Sequence, residues 1–137
     1  MCKCKEKTEE ADFGVAMLAC SGGSATGLLT INAAARVQNE LGLEKAGILC
    51  LSGISARIPG FLNAVKRYKG LLVIDGCSAE CASKTLEVAG ITPDRQIIIP
   101  KDCKISKKTK VVGEKEMNTV TEEIKRKVED ILNGNKK

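Results

Sequence analysis

Leu71-Leu72-Val73-Ile74-Asp75-Gly76-Cys77-Ser78-Ala79-Glu80-Cys81 is the stretch on which the reading of this chain turns. Four apolar residues in a row, ended by Asp-Gly, have the length and composition of a short strand buried on both faces. Ser78 is a good N-cap and Glu80 suits a first helical turn. The stretch therefore predicts strand, tight turn and a helix from Ser78 to about Ala89, closed by Gly90. Cys77 then stands at the mouth of the helix and Cys81 one turn inside, on about the same side. The partial positive charge of a helix N-terminus favours thiolate over thiol. Two thiolates are half of a soft-metal site, or a redox pair.

The same alternation runs outward in both directions. Phe13–Ala19 is an apolar run that ends at Cys20, followed by the small-residue loop Ser21–Gly27 and a helical pattern over Leu28–Leu41, with Gly42 as its stop. Ala46–Leu51 reads as a second strand with Cys50 near its end, and Ser52–Arg57 as another small-residue loop. Pro59 suits the first turn of a helix running to about Tyr68, and Gly70 separates it from the central strand. Gln96–Ile99 reads as a fourth strand, ended by Pro100. Strands alternating with helices over short connections predict a parallel sheet. The expected fold is α/β, a three-layer Rossmann-like arrangement with a four-stranded parallel sheet in order 2-1-3-4 and helices on both faces. Residues 101–115 are rich in lysine and predict an exposed loop, with Val111-Val112 as a short edge strand. Met117, Val120, Ile124, Val128 and Ile131 recur at steps of three and four, the stripe of an amphipathic helix over about 116–133 that docks on the sheet.

Composition narrows the chemistry. A chain of 137 residues supports one domain with a real core. It is expected over residues 12–137, after a flexible polar segment at 1–11. No apolar run approaches membrane-spanning length, and Met1–Lys7 has no apolar signal region, so a cytoplasmic location is expected. The chain has seven cysteines and no histidine. An odd count cannot pair fully, and reducing conditions favour metal binding or thiol chemistry over structural disulfides. Without histidine there is no Cys-His or Ser-His couple and no mixed Cys/His zinc site. The net charge of +5 is carried mainly by the C-terminal part: residues 101–137 hold eleven Lys and Arg against seven Asp and Glu. Aromatic residues are few, so base stacking has little to stand on and nucleic acid is not an expected partner. Cys2 and Cys4, two residues apart in the N-terminal segment, make at most a weak metal site.

In parallel α/β sheets ligands sit beyond the carboxyl ends of the strands. Cys20 follows the first strand, Cys50 ends the second and Cys77 ends the third, while Cys81 joins from the next helix. Neighbouring strand ends are about 5 Å apart, close enough for these side chains to meet around one ion. Tetrahedral Cys₄ is a common closed zinc arrangement. Soft thiolates also accept Cu(I) or an iron–sulfur cluster, so the metal stays open, with zinc favoured. Asp75 is expected to hydrogen-bond the turn, or the amides that orient Cys77, as a support to the ligands. No catalytic residue is assigned.

These residues also carry a resemblance. Cys20-Ser21-Gly22-Gly23-Ser24, then Cys50-Leu51-Ser52-Gly53-Ile54 with Ile58-Pro59, then Asp75-Gly76-Cys77 with Cys81 and Lys84-Thr85-Leu86-Glu87, resemble the DGC-domain family over about residues 13–112. That family is named for its Asp-Gly-Cys motif, and its members are described as candidate zinc-binding proteins. The resemblance implies four chelating cysteines, by match Cys20, Cys50, Cys77 and Cys81, and no established activity. Cys2, Cys4 and Cys103 lie outside those motifs.

Two other classes of function stay open. A thiol redox or transfer enzyme would use Cys20, or Cys77 with Cys81 as resolving thiol, although Cys-x-x-x-Cys is one residue longer than the usual redox spacing. Phosphate or nucleotide binding would use the amides of Ser21–Gly27 before a helix. Against it, Leu28-Leu29 stand where a phosphate loop carries Lys-Ser/Thr.

Overall fold

The computed structural model describes residues 12–134. The segment expected to be flexible at 1–11, with Cys2 and Cys4, lies outside the described residues. The strands are β1 (Phe13–Ala19), β2 (Ala46–Ile48), β3 (Tyr68–Asp75) and β4 (Arg95–Ile98). They form one parallel sheet in the order β2-β1-β3-β4. The helices are α1 (Ala25–Leu41), α2 (Leu51–Ser55), α3 (Pro59–Ala64), α4 (Cys81–Val88), α5 (Ile99–Asp102) and α6 (Glu114–Leu132). The α/β architecture and strand order are those the sequence predicts.

Strand alternation divides the core in two. Val15 and Met17 of β1, with Leu72 and Ile74 of β3, face α1 and α6, where Leu29, Val37, Val120, Ile124 and Val128 close the layer. Ala16 and Leu18, with Leu71 and Val73, face the other way, onto Ile54, Ala82 and Leu86 of α2 and α4. Both faces being apolar explains why β1 and β3 read as continuous hydrophobic runs.

Four local expectations are corrected. β3 begins at Tyr68, not after Gly70. Gly70 sits inside the strand because a Cβ there would stand 2.2 Å from Cγ2 of Ile131 on α6. The helix expected from Pro59 to Tyr68 stops at Ala64 and passes through a 3-10 turn, Val65–Arg67. β2 ends at Ile48, and the loop expected at Ser52–Arg57 is largely the short helix α2. Val111 and Val112 form no edge strand. The chain after β4 instead turns into α5, where Pro100 occupies a first-turn position that needs no amide hydrogen.

Candidate functional site: a thiol-lined cavity at the sheet's carboxyl edge

β1 leads through α1 to one side of the sheet, and β3 leads through α4 to the other. Between the two lies the crevice where open α/β sheets hold ligands. A cavity of about 680 Å³ opens beside it, at the ends of β1 and β2, with Cys20, Cys50 and Cys81 on its wall. Ile31, Leu49 and Leu51 give it an apolar lining.

Cys20 is half-buried and held by backbone and side chain together. The Gly76 amide donates to Cys20 Sγ at 3.3 Å, and the Thr30 hydroxyl lies 3.8 Å from it. Thr30 also accepts the Ser21 amide at 3.1 Å and donates to the Gly27 carbonyl at 2.7 Å, tying the loop after β1 to α1. That loop adopts a positive φ at Ser21, 61°. The contact between Cys20 and the β3 end requires Gly76: a Cβ there would lie 2.6 Å from Gly27 Cα. Gly27 in turn packs on the Gly22 carbonyl, which its own Cβ would meet at 1.9 Å.

Cys50 is exposed and precedes α2 as its N-cap. The Ser52 hydroxyl lies 3.1 Å from its sulfur. That hydroxyl, then the Gly53 amide, lowers the Cys50 thiol below its ordinary range. Gly53 has no room for a side chain, since a Cβ would meet the Phe61 ring at 2.5 Å.

Cys81 is the first residue of α4, so the expectation that Ser78 starts this helix is corrected. Residues Cys77 to Glu80 close a turn instead, the Glu80 amide donating to the Cys77 carbonyl at 3.1 Å. The cap comes from a distance. Asp75, fully buried at the end of β3, accepts the Ala82 amide at 2.8 Å and the Ser83 hydroxyl at 2.5 Å. A carboxylate at that point satisfies one of the helix's free amides and complements its dipole. Asp75 thus orients the residues beside Cys81 rather than Cys77. Partial desolvation of the Cys81 thiol, then the charge of Cys20 and Asp75 and a hydrogen bond with Cys20, push its pKa up.

Cys77 is half-buried on the turn and does not line the cavity. Cys77 and Cys81 are therefore not an i, i+4 pair on one helix. Cys103 is buried in the α1–α6 layer, away from the cavity, and burial pushes its thiol up to about 11. Among the described residues, no three Cys, Asp or Glu side chains stand close enough together to hold an ion as they are placed. The donor chemistry suits a thiophilic ion. Cys20, Cys50 and Cys81 share one cavity wall.

Thr30, Ser52, Ser83 and Gln96 support the site and escaped the sequence reading. The one signal for Gln96 was a polar side chain within an apolar strand.

Sheet, switch-point crevice and thiol-lined wall define an α/β protein with a cysteine pocket. The DGC domain matches residues 16–128, most of the chain, and the chain belongs to that family. No curated protein and no solved structure matches it. No described helix is long and apolar enough to cross a membrane.

Proposed function

We propose that this chain binds a thiophilic metal ion, zinc in preference to Cu(I) or an iron–sulfur cluster, through thiolates at the carboxyl edge of its sheet. Cys20, Cys50 and Cys81 are the first ligands, and Cys77 is the candidate fourth. The observation that carries this reading is one cavity wall bearing three cysteines that arrive from three separate segments of the chain. Ligation requires Cys50 to move toward the Cys20/Cys81 pair, which its exposed position before a five-residue helix allows. Closed by four thiolates, such an ion serves structure, storage or delivery; with three, its open position polarises a ligand. The ligands must be reduced thiolates, so a reducing compartment, the cytoplasm, belongs to the proposal. Neither nucleic acid nor membrane is part of it.

The test is metal content of the reduced protein purified without added metal, followed by zinc titration against a chromophoric chelator. One ion per chain is expected. Cys20→Ser, Cys50→Ser and Cys81→Ser should each weaken binding, and Cys103→Ser should not. A folded, reduced protein that takes up no zinc would end the proposal.

A second reading rests on Cys50. Its exposure and lowered thiol pKa suit a nucleophile, with Cys20 or Cys81 to resolve it. Alkylation of Cys50 no faster than a free model thiol at neutral pH would remove this reading. Phosphate binding at Ser21–Gly27 draws no support from the site. Ser24 Oγ already takes the Gly27 amide at 3.0 Å, and close packing accounts for Gly27.

A further inference from the structure

The start of α4 is held in an unusual way. Glu80 has φ 53° and ψ 41°, a left-handed conformation that side-chain-bearing residues avoid, and its side chain makes no cap to its own helix. Its amide is held by the Cys77 carbonyl at 3.1 Å, and its side chain is held from the sheet. Gln96 Nε2, from β4, donates to Glu80 Oε1 at 2.7 Å and to Ser83 Oγ at 2.6 Å, with Asp75 Oδ2 farther at 3.2 Å. An amide nitrogen has two hydrogens, and the two short contacts use them. The Ser83 hydroxyl in turn donates to Asp75, which also accepts from the Ala82 amide. Residues 80, 82 and 83 are thus tied to the sheet on both sides of Cys81, while the Cys81 thiol is left to the cavity wall it shares with Cys20.

We infer that Gln96 is a positioning residue for Cys81: by clasping Glu80 in its left-handed conformation, it sets where α4 begins and keeps the Cys81 thiol on the cavity wall that Cys20 shares. The inference rests on the metal-binding proposal for its consequence, though not for its geometry. Gln96 touches neither thiol; it grips the side chain of Glu80 and acts on Cys81 through that residue. If Glu80 relaxed to the extended conformation usual for an N-cap, the peptide joining Glu80 to Cys81 would change direction and the thiol would swing away from Cys20.

The test separates aiming from mere support by using glycine, which enters the left-handed region freely. Gln96→Met keeps chain length and removes both donors. It should weaken zinc binding about tenfold, as loss of a ligand-orienting partner does. Adding Glu80→Gly to Gln96→Met should restore most of the affinity, although it restores no hydrogen bond. A general loss of packing would not be rescued in this way, and urea unfolding of each variant reports that loss separately. The same variants are compared without metal, by the rate at which iodoacetamide modifies Cys81, read by mass spectrometry. Gln96→Met should change that rate and Glu80→Gly should return it toward wild type. Unchanged zinc affinity and unchanged Cys81 reactivity in Gln96→Met would overturn the inference, and so would failure of Glu80→Gly to rescue. If the wild type binds no zinc, the metal-binding proposal fails, and the reactivity comparison still decides the role of Gln96.

Discussion

Removing the carboxylate of Asp75 should unlatch α4 from the sheet, and the structure sets the size of the loss. Asp75 is fully buried and accepts from the Ala82 amide, the Ser83 hydroxyl and, more weakly, Gln96. In Asp75→Ala, Ser83 and Gln96 keep each other at 2.6 Å, and Gln96 keeps Glu80. The Ala82 amide, on a fully buried residue, keeps nothing. Loss of this cap leaves the buried Ala82 amide unpaired, a single event that costs about 2 kcal/mol. The expected destabilisation is therefore about 2 kcal/mol, or ~8 °C in Tm for a domain of this size. Asp75→Asn retains one carbonyl oxygen for the Ala82 amide and should cost only about 1 kcal/mol. The assay is urea unfolding under reducing conditions, with an unchanged m-value certifying that stability alone has moved. A loss below ~1 kcal/mol for Asp75→Ala, or equal losses for Ala and Asn, would refute the remote-cap reading.

Gly76→Ala should cost about 2–3 kcal/mol, because the new methyl meets the Gly27 backbone, which cannot step aside; Gly22→Ala, with nothing within 4 Å of its Cβ, is the control in the same denaturation series. Ile124→Ala, in the fully buried stripe of α6, should lose about 3 kcal/mol, whereas Val111→Ala, at an 82% exposed site, should stay within about 0.5 kcal/mol. As pH is raised on the metal-free protein, Cys50 should alkylate before Cys81, and Cys103 last, as mass spectrometry of pulse-labelled protein would report. Because the Cys103 thiol rises from 9.0 to about 11 on folding, its contribution is fully present below pH 9 and is lost as pH climbs toward 11. Cys103→Ala should therefore show a shallower alkaline fall in stability than wild type.

The sheet was legible because β1 and β3 are buried on both faces and leave unbroken apolar runs, and because each run is followed by a helical period. That alternation puts Cys20, Cys50 and Cys77 at strand ends with Cys81 on the next helix; the cavity wall carries Cys20, Cys50 and Cys81, and Cys77 stands on the turn outside it. What the sequence hid is tertiary in origin. Ser78 has the chemistry of a cap, yet Asp75 outcompetes it from inside the fold, and the helix starts three residues later. Gly70 looks like a strand breaker until Ile131 is seen against it. The Asp-Gly pair reads as turn chemistry. In the structure the aspartate caps a helix, and the glycine lets two backbones touch. Gln96 bonds Glu80, Ser83 and Asp75 across separate elements, contacts that no local pattern announces.

Helix α6 has a consequence for biogenesis. One whole side of the sheet, with α1 beside it, is sealed by Val120, Ile124 and Val128. A nascent chain that has emerged only as far as β4 already carries the four described strands and all the pocket's cysteines, but on that side α1 alone covers the sheet. Its ribosome-bound form should therefore be sticky and sensitive to protease, and should acquire resistance abruptly once residues 114–132 have cleared the exit tunnel.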